Sequence, residues 1–334
     1  MHFNEKCTLF LNGENVIILD NKHNGRKDFL MSQNTKAIKF YENNELDKAW
    51  EIFKQEIRNN RGVQSLNNFA WMLYREEENT QAAIPLLKEV IASTPSSHFP
   101  YNLLGEIYIT IADWDSAIPI LIKAIELEPT LEAYNNLGVA YYHKDEKSKA
   151  LQCFFHASKP SEYTMYSYVK CLADLERYEE AESLLDTFSD KEGDFVGAVD
   201  LADLYAEINA HHKANFWFEK GWASYWKEPN WVSRYTYCLV QTGERKKARR
   251  VLDNLIKDKQ IELQESYEEE CDETWTEEDK KEDMEEIQMH IKLYEQMLEQ
   301  AINGIKEPME YAPQVEKACY LFGCERHGHP EYND

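Results

Sequence analysis

The 334-residue chain carries none of the short motifs that mark common enzyme chemistry. There is no Gly-rich phosphate loop, no His-Glu-x-x-His pair and no glycine-flanked nucleophile, so the expectation is a protein without catalysis of its own. No stretch reaches the length of a membrane span, and the first residues lack the apolar run of a signal peptide. The seven cysteines are an odd number without disulfide-framework spacing. Together these point to a reducing cytoplasm and 43% apolar residues to a soluble globular chain. Basic residues are also short, with 37 Lys and Arg against 61 Asp and Glu for a net charge of −24. That balance argues against nucleic acid, whose phosphates need a basic surface, and favours a neutral or basic protein partner.

The deficit of positive charge is uneven. From Asp258 onward 23 acids face 7 bases, whereas the first 257 residues carry 38 and 30. Between Glu262 and Glu286 stand 14 acids against only Lys280 and Lys281. Such a run is ordinarily a solvated loop or helix face, and it can also draw in a basic partner before contact.

What is present is a phrase written twice. Tyr101-x2-Leu104-Gly105-x2-Tyr108 is followed by Ala117, Leu121, Ala124 and Pro129. Then Tyr134-x2-Leu137-Gly138-x2-Tyr141 is followed by Ala150, Phe154, Ala157 and Pro160. A period of about 33 residues, with large and small residues at fixed offsets, marks a helix–turn–helix repeat. The small residue lets two helices approach where they cross, and the apolar residue four places on fills the gap. Stepping back finds Trp71, Ala83 and Leu87, then Ala37, Ala49 and Phe53 in phase. Stepping forward finds Ala181, Ala214 and Ala248, each followed by a large apolar residue at Leu185, Phe218 and Leu252.

These residues resemble the tetratricopeptide repeat (TPR) family. The resemblance implies an all-α, right-handed α-solenoid of about seven repeats over residues 31–258, and a role in holding other polypeptides. In this setting the tryptophans, Trp71, Trp114, Trp217, Trp222, Trp226 and Trp231, are expected in the core.

Both ends add to the repeats. Within residues 1–30, Cys7–Leu11 and Val16–Leu19 flank Asn12-Gly13 and read as a short β-hairpin, either a cap over the first repeat or an edge for a partner strand. Residues 259–334 read as an acidic helical extension. Thr276 and Asp279 resemble a capping box, and Met284, Ile287, Ile291, Tyr294, Leu298, Ala301 and Ile305 form a seam of 3.5-residue period. This helix is expected to cap the last repeat by packing along the preceding helix, with dimerisation through the seam as the alternative.

Two constellations are candidates for function. Asn34, Asn68, Asn102 and Asn135 recur at spacings of 34, 34 and 33. In the TPR family the equivalent face lines the concave groove, so the resemblance implies an asparagine ladder there, with Asn136, Arg75, Tyr142 and Glu106 nearby. An amide both donates and accepts, so each rung can pair with peptide backbone whatever its side chains are. Asn at a helix start can also serve merely as a cap. Lys and Arg are sparse on this face, which disfavours an acidic peptide tail.

The second constellation is Cys319-x4-Cys324-x2-His327-x-His329. Thiolate and imidazole suit zinc, but His-x-His is tighter than usual for two ligands. Tyr320, Leu321 and Phe322 read as packing residues, so a structural tail without a cofactor is preferred over a metal site. The resulting expectation is a non-enzymatic polypeptide-binding scaffold. Its alternatives are an inhibitor or immunity-type protein that neutralises a basic effector, and a regulator that reads a small signalling peptide.

Overall fold

The structure is a computed structural model, which describes residues 9–12, 15–18, 32–158, 162–191 and 195–332. It forms two compact units, Met1–Lys144 with Gln314–Asp334, and Asp145–Pro313. The last twenty-one residues therefore leave the C-terminal extension and join the first repeats.

Unit 1 begins with an antiparallel pair, β1 (Leu9–Asn12) and β2 (Asn15–Ile18), in the register Leu9 opposite Ile18. The turn at Gly13 lies outside the described residues. Seven helices follow: α1 (Gln33–Glu42), α2 (Leu46–Asn59), α3 (Val63–Arg75), α4 (Thr80–Ala92), α5 (Phe99–Thr110), α6 (Trp114–Leu127) and α7 (Leu131–His143). Unit 2 holds α8 (Lys147–Ala157), α9 (Glu162–Asp174), α10 (Tyr178–Leu185), α11 (Ala198–Glu207), α12 (His211–Gly221), α13 (Pro229–Gln241), α14 (Arg245–Glu268) and α15 (Glu277–Ile302). The architecture is an all-α stack of helix pairs, an α-solenoid.

The residues that carried the repeat carry the packing. Ala49, Ala83 and Ala117 in unit 1 and Ala150, Ala181, Ala214 and Ala248 in unit 2 are fully buried. On α5, a Cβ added at Gly105 would lie 2.5 Å from the Leu121 side chain of α6. Only glycine admits that approach.

A turn signal invisible in the residue types recurs as well. In unit 1, Asn44, Glu78 and Ala112 take φ of 50–61°, and in unit 2 Asp145, Glu176, Asn209 and Gly243 take 57–82°. Where the next amide reaches back five residues, as Glu45 to Phe40 O and Asp113 to Tyr108 O, the helix closes in a Schellman motif. The same bond recurs in unit 2 from Ala210 to Tyr205 O and from Glu244 to Leu239 O. Only one of the seven positions is glycine. The others accept a left-handed conformation, which costs roughly 1–2 kcal/mol per residue, because packing on both sides fixes the turn.

In unit 2, α15 packs along α14 and α13. Its capping box forms as read, with Asp279 N–H donating to Thr276 Oγ1 and Thr276 N–H to Asp279 Oδ2. The buried stripe is Ile287, His290, Tyr294, Met297 and Ala301, so His290 and Met297 stand where the seam placed Ile291 and Leu298. Tyr294 Oη donates to the carbonyl of Lys227. Of the tryptophans expected in the core, Trp71 and Trp231 are buried, whereas Trp226 is 87% exposed. Trp226 sits just before α13, its carbonyl accepting the Trp231 indole N–H at 2.8 Å.

Candidate functional site

The asparagine rungs in unit 1 are buried, and what covers them is the chain's own tail. On α3, Asn68 Nδ2 donates to Phe322 O at 2.9 Å while its Oδ1 accepts Phe322 N–H at 2.9 Å. On α7, Asn136 does the same to Glu316, donating to its carbonyl at 2.8 Å and accepting its amide at 2.7 Å. Each side chain thus holds both backbone groups of one tail residue.

From residue 314 to residue 322 every second residue of the tail is taken. Asn135 Nδ2 donates to Gln314 O at 3.0 Å, Arg75 Nη2 to Ala318 O at 3.0 Å and Asn67 Nδ2 to Tyr320 O at 2.7 Å. Ala318 N–H points at Glu106 Oε2 at 3.4 Å. Asn34, on α1, donates to Phe322 O at 3.0 Å and accepts from Asn68 Nδ2 at 2.7 Å. The partners run from residue 322 on α1 and α3 down to 314 on α7, antiparallel to the repeats. Tyr142 is half-buried, its ring edge-on to His143 at 5.9 Å.

One rung stays apart. Asn102 is 1% exposed, and neither its Oδ1 nor its Nδ2 meets a hydrogen-bond partner among the described residues. From Asn135 to Asn68 the repeats advance by two and the tail by eight residues, 314 to 322, which sets residue 318 midway. Glu106, one helical turn further along α5, and Arg75 take residue 318 instead.

The tail also brings apolar mass. Tyr320, Leu321 and Phe322 are buried, with Phe322 5.0 Å from the ring of Phe99 and 5.2 Å from that of Tyr332. Gly323, at φ +81°, turns the chain immediately after. Beneath it Glu106 is fully buried with Arg75 Nη1 3.7 Å away. Burial pushes its carboxyl up to about 7 against the opposing pull of Arg75.

The sequence model of the tetratricopeptide repeat family matches residues 101–132. A tetratricopeptide repeat protein from Parabacteroides merdae ATCC 43184 superposes with a TM-score of 0.51 at 16% identity, over 79% of this chain and 97% of that one. One segment of the chain thus matches a tetratricopeptide repeat, and the fold is shared with a tetratricopeptide repeat protein. Weaker structural likenesses include PilW, a type IV pilus biogenesis factor (TM-score 0.47, 16% identity, 58% of this chain and 92% of that one), and MamA (0.38, 19%, 59% and 99%). Among curated proteins none matches the sequence. No helix among the described residues is long and apolar enough to cross a membrane.

The Cys/His constellation lies on the same tail. Cys319 Sγ, Cys324 Sγ and a His327 ring nitrogen lie within 4.8 Å of one another, with Cys324 Sγ 3.2 Å from His327 Nδ1. His329 stands outside this group. Its Nδ1 is 3.1 Å from Leu321 O, and its ring packs edge-on to Phe99 at 4.7 Å. Burial pushes the Cys319 thiol up to about 12 and raises that of Cys324, while the backbone of Leu321 and of His327 respectively pulls each down.

Unit 2 treats the preceding residues in a similar way. Arg234 on α13 donates to Pro308 O at 3.0 Å, and the Tyr311 hydroxyl pairs with Ser167 Oγ of α9 at 2.8 Å. Arg234 is itself held by both oxygens of Asp203 on α11 at 2.7 Å each. Burial pushes the Asp203 carboxyl up to about 6 despite that pairing.

Reading the sequence located Asn34, Asn68, Asn135, Asn136, Arg75 and Glu106 beside the tail but not the tail as their ligand. It also passed over Asn67. The signal was there in the doublets Asn67-Asn68 and Asn135-Asn136, two repeats apart.

Proposed function

We propose that this protein is a non-enzymatic holder of polypeptides, and that its own tail occupies the groove of unit 1 as a displaceable placeholder. The observation that carries this is the double clamp of Asn68 on Phe322 and of Asn136 on Glu316. Both clamps grip backbone alone, so any neutral or basic segment of suitable conformation can make the same bonds. A partner must compete with an intramolecular ligand, whose effective concentration is on the order of millimolar for a short flexible connection. Capture is therefore expected to be slow and selective in the intact chain, and fast once the tail is loosened.

The test keeps the full chain. Tyr320→Ala with Phe322→Ala removes apolar anchors and leaves every rung in place. A labelled peptide of residues 313–324 should bind this variant at least tenfold more tightly than wild type, and adding Asn68→Ala and Asn136→Ala should abolish it. If the loosened chain, shown folded by its helicity, binds no peptide, the groove reading is wrong.

A second reading rests on a different surface. Glu262, Glu265, Glu268, Glu269 and Asp283, at the acidic end of α14 and the start of α15, line a cavity of about 530 Å3. A basic effector neutralised there would leave the groove untouched. Its complex should weaken steeply with salt and be indifferent to the Asn68 and Asn136 substitutions.

A further inference from the structure

We propose that Cys319, Cys324 and His327 form a binding site for one zinc-class divalent ion, with a fourth position open to the adjoining cavity. The spacing of the donor atoms fits. A tetrahedral zinc with ordinary bond lengths holds a sulfur and a nitrogen about 3.5 Å apart and two sulfurs about 3.8 Å apart. Here Cys324 Sγ and His327 Nδ1 are 3.2 Å apart, and all three donors fall within 4.8 Å. Closing on an ion requires shifts of under about an ångström, within the reach of side-chain rotation.

The backbone already has the shape of a metal knuckle. Gly323 N–H donates to Pro330 O at 2.9 Å, Gly328 N–H to Glu325 O at 3.1 Å and His329 N–H to Cys324 O at 2.9 Å. Gly323 at φ +81° and Gly328 at φ +68° supply the left-handed turns between and after the donors. Cys319, Cys324 and His327 are thus held together by a loop fixed at several points.

The donor chemistry suits a cation, although Arg75, Lys317 and Arg326 also line the cavity. The two thiols, Cys324 buried and Cys319 half-buried, would bind an ion as thiolates and send two protons to solvent. Glu42 of α1 places Oε1 3.5 Å from Cys324 Sγ, adding negative charge beside the donors. The cavity they face, of about 410 Å3, is lined by Tyr41, Trp71, Glu76 and Arg75 among others, and gives the fourth position room for water or an incoming ligand. His327, exposed at its rim, is the natural entry.

Because all three donors sit on the tail, the ion closes the loop that follows Phe322 and holds that end of the placeholder in shape. The site stands without the groove reading: a chain that binds metal but no peptide, or peptide but no metal, separates the two.

The reduced, chelator-treated full chain is titrated with cobalt(II) and then zinc. One equivalent of cobalt should bring up thiolate-to-metal charge transfer and tetrahedral d–d bands, which zinc then abolishes. Cys319→Ser and Cys324→Ser should each remove the charge-transfer band, and His327→Ala, at an exposed position, should weaken cobalt at least tenfold without altering the melt. A fully reduced wild type that shows no band overturns the proposal. So does a band undiminished in the Cys319→Ser, Cys324→Ser chain, which would locate the metal among the other five of the seven cysteines.

Discussion

Asn68 and Asn102 occupy the same position of successive repeats, 34 residues apart, yet the structure gives them opposite energetics. Asn68 makes four bonds, two to Phe322, one to Asn34 and one accepted from Asn67 Nδ2. Replacing it by Ala strands the buried Phe322 N–H and Asn34 Oδ1, while Phe322 O keeps its bond from Asn34. A buried group left without a partner costs about 1–3 kcal/mol, so the two together should cost about 2–6 kcal/mol. Asn102 already lies buried with both amide atoms unpaired. Asn102→Ala therefore relieves two desolvated groups and opens a small cavity, and the two effects should cancel to within about 1 kcal/mol. Urea denaturation followed by circular dichroism gives the stabilities. Amide exchange at Phe322, which should quicken in Asn68→Ala and not in Asn102→Ala, localises the loss to the tail. Equal destabilisation by the two variants would refute the reasoning, as would unchanged exchange at Phe322 in Asn68→Ala.

Three other outcomes follow from buried charge and turn geometry. Glu106 has its carboxyl raised from 4.5 to about 7, so the folded state holds the proton more tightly and stability declines as pH rises through that interval. One group contributes at most about 1.4 kcal/mol per pH unit, and Glu106→Gln should flatten the slope of stability between pH 4.5 and 7; an unchanged slope would show that Glu106 is not its source. Asp203→Ala leaves Arg234 buried without its carboxylate and should cost about 3–5 kcal/mol in unit 2, whereas a loss below 1 kcal/mol would mean that the Pro308 and Asn230 contacts suffice. Gly323→Ala puts a side chain at φ +81° with its Cβ 2.8 Å from Asn34 Nδ2, so exchange at Phe322 should quicken; unaltered exchange would show that the turn tolerates a side chain.

The repeats were legible because packing writes them in residue type. Ala83, Ala117, Ala181, Ala214 and Ala248 are small where helices cross, and Gly105 is glycine because Leu121 fills the space a Cβ would need. The turns were not legible in the same way, since six of the seven left-handed positions carry Asn, Asp, Glu or Ala rather than glycine. At the first of the two positions where the α15 seam is one residue off, His290 counts as polar although it is buried there. The polar rungs were visible as a period, but their ligand was not. Residues 314–322 carry no helical or strand periodicity, and bonds across 179 to 288 residues of sequence leave no mark in local pattern. In an open groove alanines at Asn68, Asn102 and Asn135 would leave stability intact. Their burial under the tail reverses that for Asn68 and Asn135.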